Sequence, residues 1–118
     1  SGERLPQVLL GSPLRDALLE ITRKGLGFTC VIDPQGRLAG VYTDGDLRRT
    51  LDHYHDLRDV CVDDVMTRPG KRIAPDVLAA EAVHLMEESK ITALAVVDAQ
   101  QRPIGALHMH DLLISGVI

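Results

Sequence analysis

Apolar positions along the chain fall into two sets written in the same order. Leu14, Ala17, Leu18 and Ile21 mark one face of a helix by their i, i+3, i+4, i+7 spacing, and Ala79, Ala82, Val83 and Met86 repeat that stripe 65 residues later. Ser12-Pro13 supplies a hydroxyl N-cap and a proline at the first helical position, so the first helix is expected to start there. Each helix is followed by a compact run rich in β-branched residues, Phe28 to Ile32 and Leu94 to Val97, which reads as a buried strand. Asp33-Pro34-Gln35-Gly36 then forms a turn, with proline second and glycine fourth, leading to a strand from Arg37 to Tyr42. The second copy, Asp98 to Gln101 and then Arg102 to Leu107, lacks the proline and glycine. Its turn is expected to be looser.

Short helices follow each hairpin, from Asp44 to about Leu51 and from Met109 to about Ser115, and short strands precede the first helices at Gln7 to Leu9 and Arg72 to Ala74. The expected unit is β-α-β-β-α, present twice. Asp52 to Asp64, polar and acid-rich with His53 and His55, reads as the connector, which places one repeat in residues 1–58 and the other in residues 59–118. Val65-Met66-Thr67 opens the second unit, whereas its counterpart would fall at or before Ser1, so the first repeat is expected to be truncated at its N-terminus. A duplicated half-domain closes on itself with pseudo-two-fold symmetry and leaves related clefts where the halves meet.

A length of 118 residues suits one domain that buries roughly 65% of its unfolded surface. Hydrophobic residues at 45% and charged residues at 25% exclude a disordered chain. No apolar run approaches membrane-spanning length and no secretory signal is present, from which a cytoplasmic protein with no membrane partner is expected. Net charge of −4 without a basic, aromatic-laced stripe argues against nucleic acid as a partner. Cys30 and Cys61 lie in apolar runs outside metal-ligand spacing and read as buried reduced thiols.

The segment Gly40-Val41-Tyr42-Thr43-Asp44-Gly45-Asp46 concentrates the candidate chemistry. A hydroxyl at a strand-to-helix turn and a carboxylate three residues on suit phosphate and ribose, with the helix N-terminus favouring an anion. The same pair also suits a capping box that needs no ligand. Arg48 and Arg49 sit in the first turns of that helix, against the preference for acids there, and either complement a bound anion or point to solvent. The second copy, Gly105-Ala106-Leu107-His108-Met109-His110-Asp111, keeps glycine and aspartate but puts His108 where Thr43 stands. Histidines two apart share a face on a strand and not on a helix, so His108, His110 and Asp111 read as helix-end groups in preference to a metal site. Ser89, Ser115 and His84 assemble no nucleophile with a base and orienting group, and catalysis by this chain is not expected.

Taken together, Val65-Met66-Thr67, the hairpins ending at Gly40 and Gly105, and Gly40-x-x-Thr43-x-x-Asp46 with its altered copy Gly105-x-x-His108-x-x-Asp111 resemble a tandem pair of cystathionine-β-synthase (CBS) domains. Ser12 to Glu20, Thr43 to Arg49 and Leu107 to Leu113 are further similar to the C-terminal region of bacterial arabinose-5-phosphate isomerases. The resemblance implies an α/β fold of two units packed through their sheets, and a ligand-binding set of Thr43, Asp46, Arg48, Arg49, His108 and Asp111. It further implies an N-terminal sugar-isomerase domain as partner, serving the synthesis of the Kdo sugar of lipopolysaccharide, and homo-oligomers formed through helices. No cofactor is required on this reading; AMP, ATP or the cytidine-linked Kdo product (CMP-Kdo) is the implied effector. A structural oligomerisation module that binds nothing small is the alternative.

Overall fold

The computed structural model describes residues 5–114. The Ser115 end of the last expected helix, and the counterpart of Val65-Met66-Thr67, lie outside that range. In chain order the elements are β1 (Gln7–Leu9), α1 (Leu14–Lys24), β2 (Phe28–Ile32), β3 (Leu38–Thr43), α2 (Asp44–His53), α3 (Val62–Val65), β4 (Arg72–Ile73), α4 (Ala79–Ser89), β5 (Ala93–Val97), β6 (Pro103–His108) and α5 (Met109–Ile114). The expected β-α-β-β-α unit occurs twice, with α3 as an extra turn inside the connector.

Each unit builds a three-stranded sheet of the same design, β1-β2-β3 and β4-β5-β6, parallel in its first pair and antiparallel in its second. The repeat extends to an irregularity: register shifts between Val31 and Ile32 and again between Val96 and Val97, leaving Ala39 and Ile104 as the extra residues of two matched bulges. Alternation along β2 then serves two cores. Val31 faces α1 and packs with Leu14, Ala17, Ile21 and Tyr42, whereas Phe28 and Cys30 face the other sheet and pack with Ala95 and Val97. Burial on both sides pushes the Cys30 thiol up to about 12, so it stays protonated and inert. Cys61 departs from the expectation. It is half-buried, at the start of α3.

The helix start also differs from expectation. Pro13, not Ser12, occupies the N-cap, and no side chain caps α1. The reason is tertiary: Ser12 to Leu14 runs antiparallel to Val60 to Val62, where the Leu14 N–H donates to the Val60 carbonyl at 2.8 Å and the Val62 N–H to the Ser12 carbonyl at 3.0 Å. Backbone from the connector therefore satisfies the group a Ser12 hydroxyl would have capped.

The second hairpin turn is not looser than the first. Asp33 Oδ1 accepts from the N–H groups of Gln35 and Arg37, both at 2.9 Å, and Asp98 Oδ1 does the same for Gln100 at 2.9 Å and Arg102 at 3.0 Å. Arg37 and Arg102 then close the second carboxylate oxygens at 3.0 and 3.1 Å. Donors from the Arg102 backbone hold the Asp98 carboxyl below its usual range, and at Asp33 the same bonds outweigh an upward push from desolvation. The aspartate side chain dictates the turn, so Gln101 adopts φ 65° where Gly36 has φ 83°.

Backbone hydrogen bonds at the sheet edges add to the shared core in tying the units together. Val41 and Thr67 exchange both backbone hydrogen bonds, at 3.0 and 2.8 Å, so the start of the second unit extends the edge of the first unit's sheet. The Leu38 N–H donates to the Gln101 carbonyl at 2.8 Å, and Arg72 Nη1 reaches the Leu38 carbonyl at 3.1 Å. Gly40 permits the first contact, since a Cβ there would lie 2.6 Å from the Thr67 carbonyl oxygen.

Gly40→Ala should therefore lower stability by about 1–3 kcal/mol, the cost of overpacking, as read by urea denaturation. Ala99→Pro should raise it by about 0.4–1 kcal/mol on the same assay, because Pro34 already occupies the matching position of an identically bonded turn.

Candidate functional site

The strand-to-helix junction of the first unit is built around one buried carboxylate. Thr43 ends β3 with extended backbone and caps α2, its Oγ1 accepting from the Asp46 N–H at 3.1 Å. Asp46 Oδ2 returns the bond, accepting from the Thr43 N–H at 3.0 Å and from its hydroxyl at 3.1 Å. Such a reciprocal box follows from Thr and Asp three residues apart. Asp46 does more than cap. Its Oδ1 accepts from the Thr67 hydroxyl at 2.8 Å and from the Arg49 guanidinium at 2.5 Å, and the residue is only 3% exposed. Behind it, Thr50 donates to the Asp46 carbonyl and shares a 2.8 Å hydrogen bond with the buried Tyr42 hydroxyl. Four donors converge on one carboxylate from three places in the chain.

Next to this knot the seam between the units opens into two adjoining cavities. The inner one, of about 240 Å³, has an apolar lining of Phe28, Val41, Ile91, Ala93 and Ala95, with Thr43 and Thr67 hydroxyls and the Arg49 and Lys71 side chains at its edges. An outer groove of about 470 Å³ shares Phe28, Thr43, Arg49, Ile91 and Ala93 with it and adds Gly45, Arg48 and Lys90. Apolar surface beside convergent hydroxyls and cations is the usual make-up of a site for a small anionic ligand with a flat apolar part.

Of the residues singled out from sequence, Thr43, Asp46 and Arg49 meet in this knot, and Arg48 is exposed on the groove wall. His108 and Asp111 do not join them. His108 ends β6 opposite Ala93, and its Nδ1 accepts from the His110 N–H at 3.0 Å, so an imidazole takes the place of the Thr43 hydroxyl at the start of α5. Asp111 is exposed. No group of three or more His, Cys, Asp or Glu suited to a metal occurs among the described residues. Thr67, Lys71 and Lys90 were missed from sequence. Thr67 had a signal, since it closes Val65-Met66-Thr67; the two lysines had none, as they reach the cleft only through the docking of the second unit.

The chain matches the CBS domain family over residues 3–53 and again over residues 62–116, and it belongs to that family. It is 61% identical over 117 residues to arabinose 5-phosphate isomerase KdsD of Pseudomonas aeruginosa, a match that covers 99% of this chain and 36% of that protein. The chain thus spans about a third of the length of this curated relative. Among solved structures it is similar to a signal-transduction protein with CBS domains from Burkholderia ambifaria, with TM-score 0.83, 26% identity, and coverage of 98% of this chain and 85% of that one. A CBS domain protein from Pyrobaculum aerophilum complexed with AMP shares the fold at TM-score 0.81 and 18% identity, over 93% of this chain and 85% of that one. No helix among the described residues is long and apolar enough to cross a membrane.

Asp46→Ala removes the cap and the anchor for Thr67 together. It should lower stability by about 2 kcal/mol, more than the ~1 kcal/mol of a lost cap, by urea denaturation.

Proposed function

We propose that this chain is the ligand-sensing module of a sugar-phosphate aldose–ketose isomerase of the arabinose 5-phosphate type, working in the cytoplasm on the route to the Kdo sugar. On this reading an adenine nucleotide seated in the Thr43 cleft is its effector. One observation carries the proposal: a cleft at the seam of the two units has an apolar inner part and a cationic rim around the capped start of α2. The 61% identity to the isomerase supports the parent activity, and the AMP held by the Pyrobaculum protein of the same fold supports the ligand class.

In this reading the base lies against Ile91 and Ala93, Thr43 and the two arginines receive phosphate, and Asp46 receives the ribose hydroxyls. Asp46 is already saturated, so a ribose diol would take over from Arg49 or Thr67. Because Thr43 and Arg49 belong to the first unit and Ile91 and Ala93 to the second, a bound ligand favours whichever arrangement of the units fits it better. Such a difference in affinity between two states is what would reach an attached catalytic domain. Asp111, with His108 beside it, is the matching position of the second copy. Leu19 on α1 and Leu51 on α2, each 56% exposed, support self-association through helix faces.

Saturation of Asp46 by its own neighbours also favours a second reading, a structural module that assembles the isomerase and binds nothing small. Calorimetric titration of the chain with AMP, ATP and CMP-Kdo separates the two. Saturable binding of an adenine nucleotide is the expected result. Silence for all three with self-association intact would leave the scaffold, and binding of CMP-Kdo alone would replace the adenine assignment.

A further inference from the structure

We propose that the segment through which the isomerase domain enters this chain docks on the free edge of β6, as Thr67 docks on β3, and that the coupling between the two domains runs through it. The proposal rests on the reading of the chain as the sensing module of a longer isomerase, the match to the Pseudomonas protein covering 36% of that protein.

The first unit shows what such a segment does. Residues 57–67 cross its surface: Val62 is fully buried with Leu14, Ala17 and Ile21, and Leu57, Val60, Val65 and Met66 pack around this core. On the way the Val60 carbonyl receives the Leu14 N–H, and at the end Thr67 pairs with Val41, its carbonyl filling the space that Gly40 leaves. Under this cover Gly40, Val41 and Tyr42 are buried.

The second unit offers the same edge without the cover. β6 lies at the end of the order β4-β5-β6, as β3 does in its own sheet. Ala106 stands opposite Ala95 as Val41 stands opposite Cys30, so its N–H and C=O point outward from the sheet as those of Val41 do. Gly105, Ala106 and Leu107 are only half-buried. Ala79, the counterpart of the fully buried Leu14, is half-buried too, and Leu78, the counterpart of the Pro13 that bridges to Cys61, is 67% exposed. Among the described residues, nothing beyond its chain neighbours lies within 4 Å of where a Gly105 Cβ would be, and the core around Ala82, Met86 and Leu94 draws its neighbours from residues 73–109. A half-covered apolar strand with outward N–H and C=O groups, and a glycine beside them, is an edge suited to an added strand.

The repeat names the occupant. At the 65-residue spacing the counterpart of residues 57–67 falls in the stretch leading into Leu5, ahead of β1, as residues 57–67 run ahead of β4. The crossing is reciprocal: the stretch that opens the second unit lies on the first, so the stretch that opens the first lies on the second. It is extended, with apolar side chains in the places of Val60, Val62 and Val65, and it ends beside the exposed Asp111 as Thr67 ends beside Asp46. The tether of the catalytic domain is then part of the seam, and a shift between the units acts on it directly.

Amide hydrogen exchange on the full-length isomerase, beside its Gly105→Val variant, is the test. The Ala106 and Ala79 N–H groups should exchange as slowly as those of Val41 and Leu14, and peptides from the stretch leading into Leu5 should share that protection. Gly105→Val places a side chain where the incoming backbone lies, and it should speed exchange of Ala106 and of that stretch together by about tenfold or more, with Val41 changing less. Thermal denaturation checks that the variant folds; Gly105→Ala serves if it does not. Fast exchange at Ala106 in the unaltered protein, or a folded variant with no effect, would overturn the proposal. Protection of Ala106 without protection of the stretch before Leu5 would overturn it as well, and would give the edge to another surface or a second copy. Turnover of arabinose 5-phosphate is measured on the same sample, and its absence would defeat the isomerase reading without changing what the exchange shows.

Discussion

The exchange of hydrogen bonds between Val41 and Thr67 is the contact on which the site depends. It makes the opening of the second unit a fourth strand-like edge on the first unit's sheet, and it fixes Thr67 where its hydroxyl reaches Asp46. Gly40 is the condition for that approach, because any side chain would meet the Thr67 carbonyl. From this contact come the wall of the inner cavity, the position of Lys71 four residues on, and the saturation of the buried carboxylate. Burying an ionised aspartate is tolerable only when its oxygens are met by donors, and here four are supplied. Folding of the first helix junction and docking of the second unit are therefore one event energetically, in the sense that neither satisfies Asp46 alone.

In the proposed reading, that coupling is what would let the cleft act as a sensor. A ligand that draws Arg49 or Thr67 away from Asp46 acts on the same group that holds the seam, so occupancy and the relation between units are linked without any separate lever. The two copies differ in how much they invest in this. In the first, Thr43, Asp46, Thr67 and the arginines form a network around a carboxylate. In the second, His108 caps its own short helix, and Asp111 is left in solvent. Pseudo-symmetry of the backbone thus supports two chemically distinct ends.

Much of the fold was legible because periodicity and duplication reinforce each other: the Leu14 and Ala79 stripes, both hairpins and the order of elements follow from local pattern. Two local readings failed where other groups took over a backbone function. Ser12 looked like a cap, but the Val60 carbonyl already receives the Leu14 N–H. The Asp98 turn looked loose for want of proline and glycine, but the carboxylate alone organises it. In the candidate site, Thr43, Asp46 and Arg49 could be read from spacing, and Thr67 was marked by the opening Val65-Met66-Thr67. Lys71, Lys90 and the apolar Ile91 and Ala93 could not be assigned, because they reach the cleft through tertiary docking that leaves no periodic trace.

Amide hydrogen exchange under native conditions tests the central contact most directly. If Val41 and Thr67 hold the seam as described, their N–H groups should exchange with the same opening free energy as the β2 and β3 core amides, through unfolding of the whole domain. Exchange of both amides by a low-energy local opening, while the Cys30 and Val31 amides stay protected, would show that the seam is not fixed and would contradict the account.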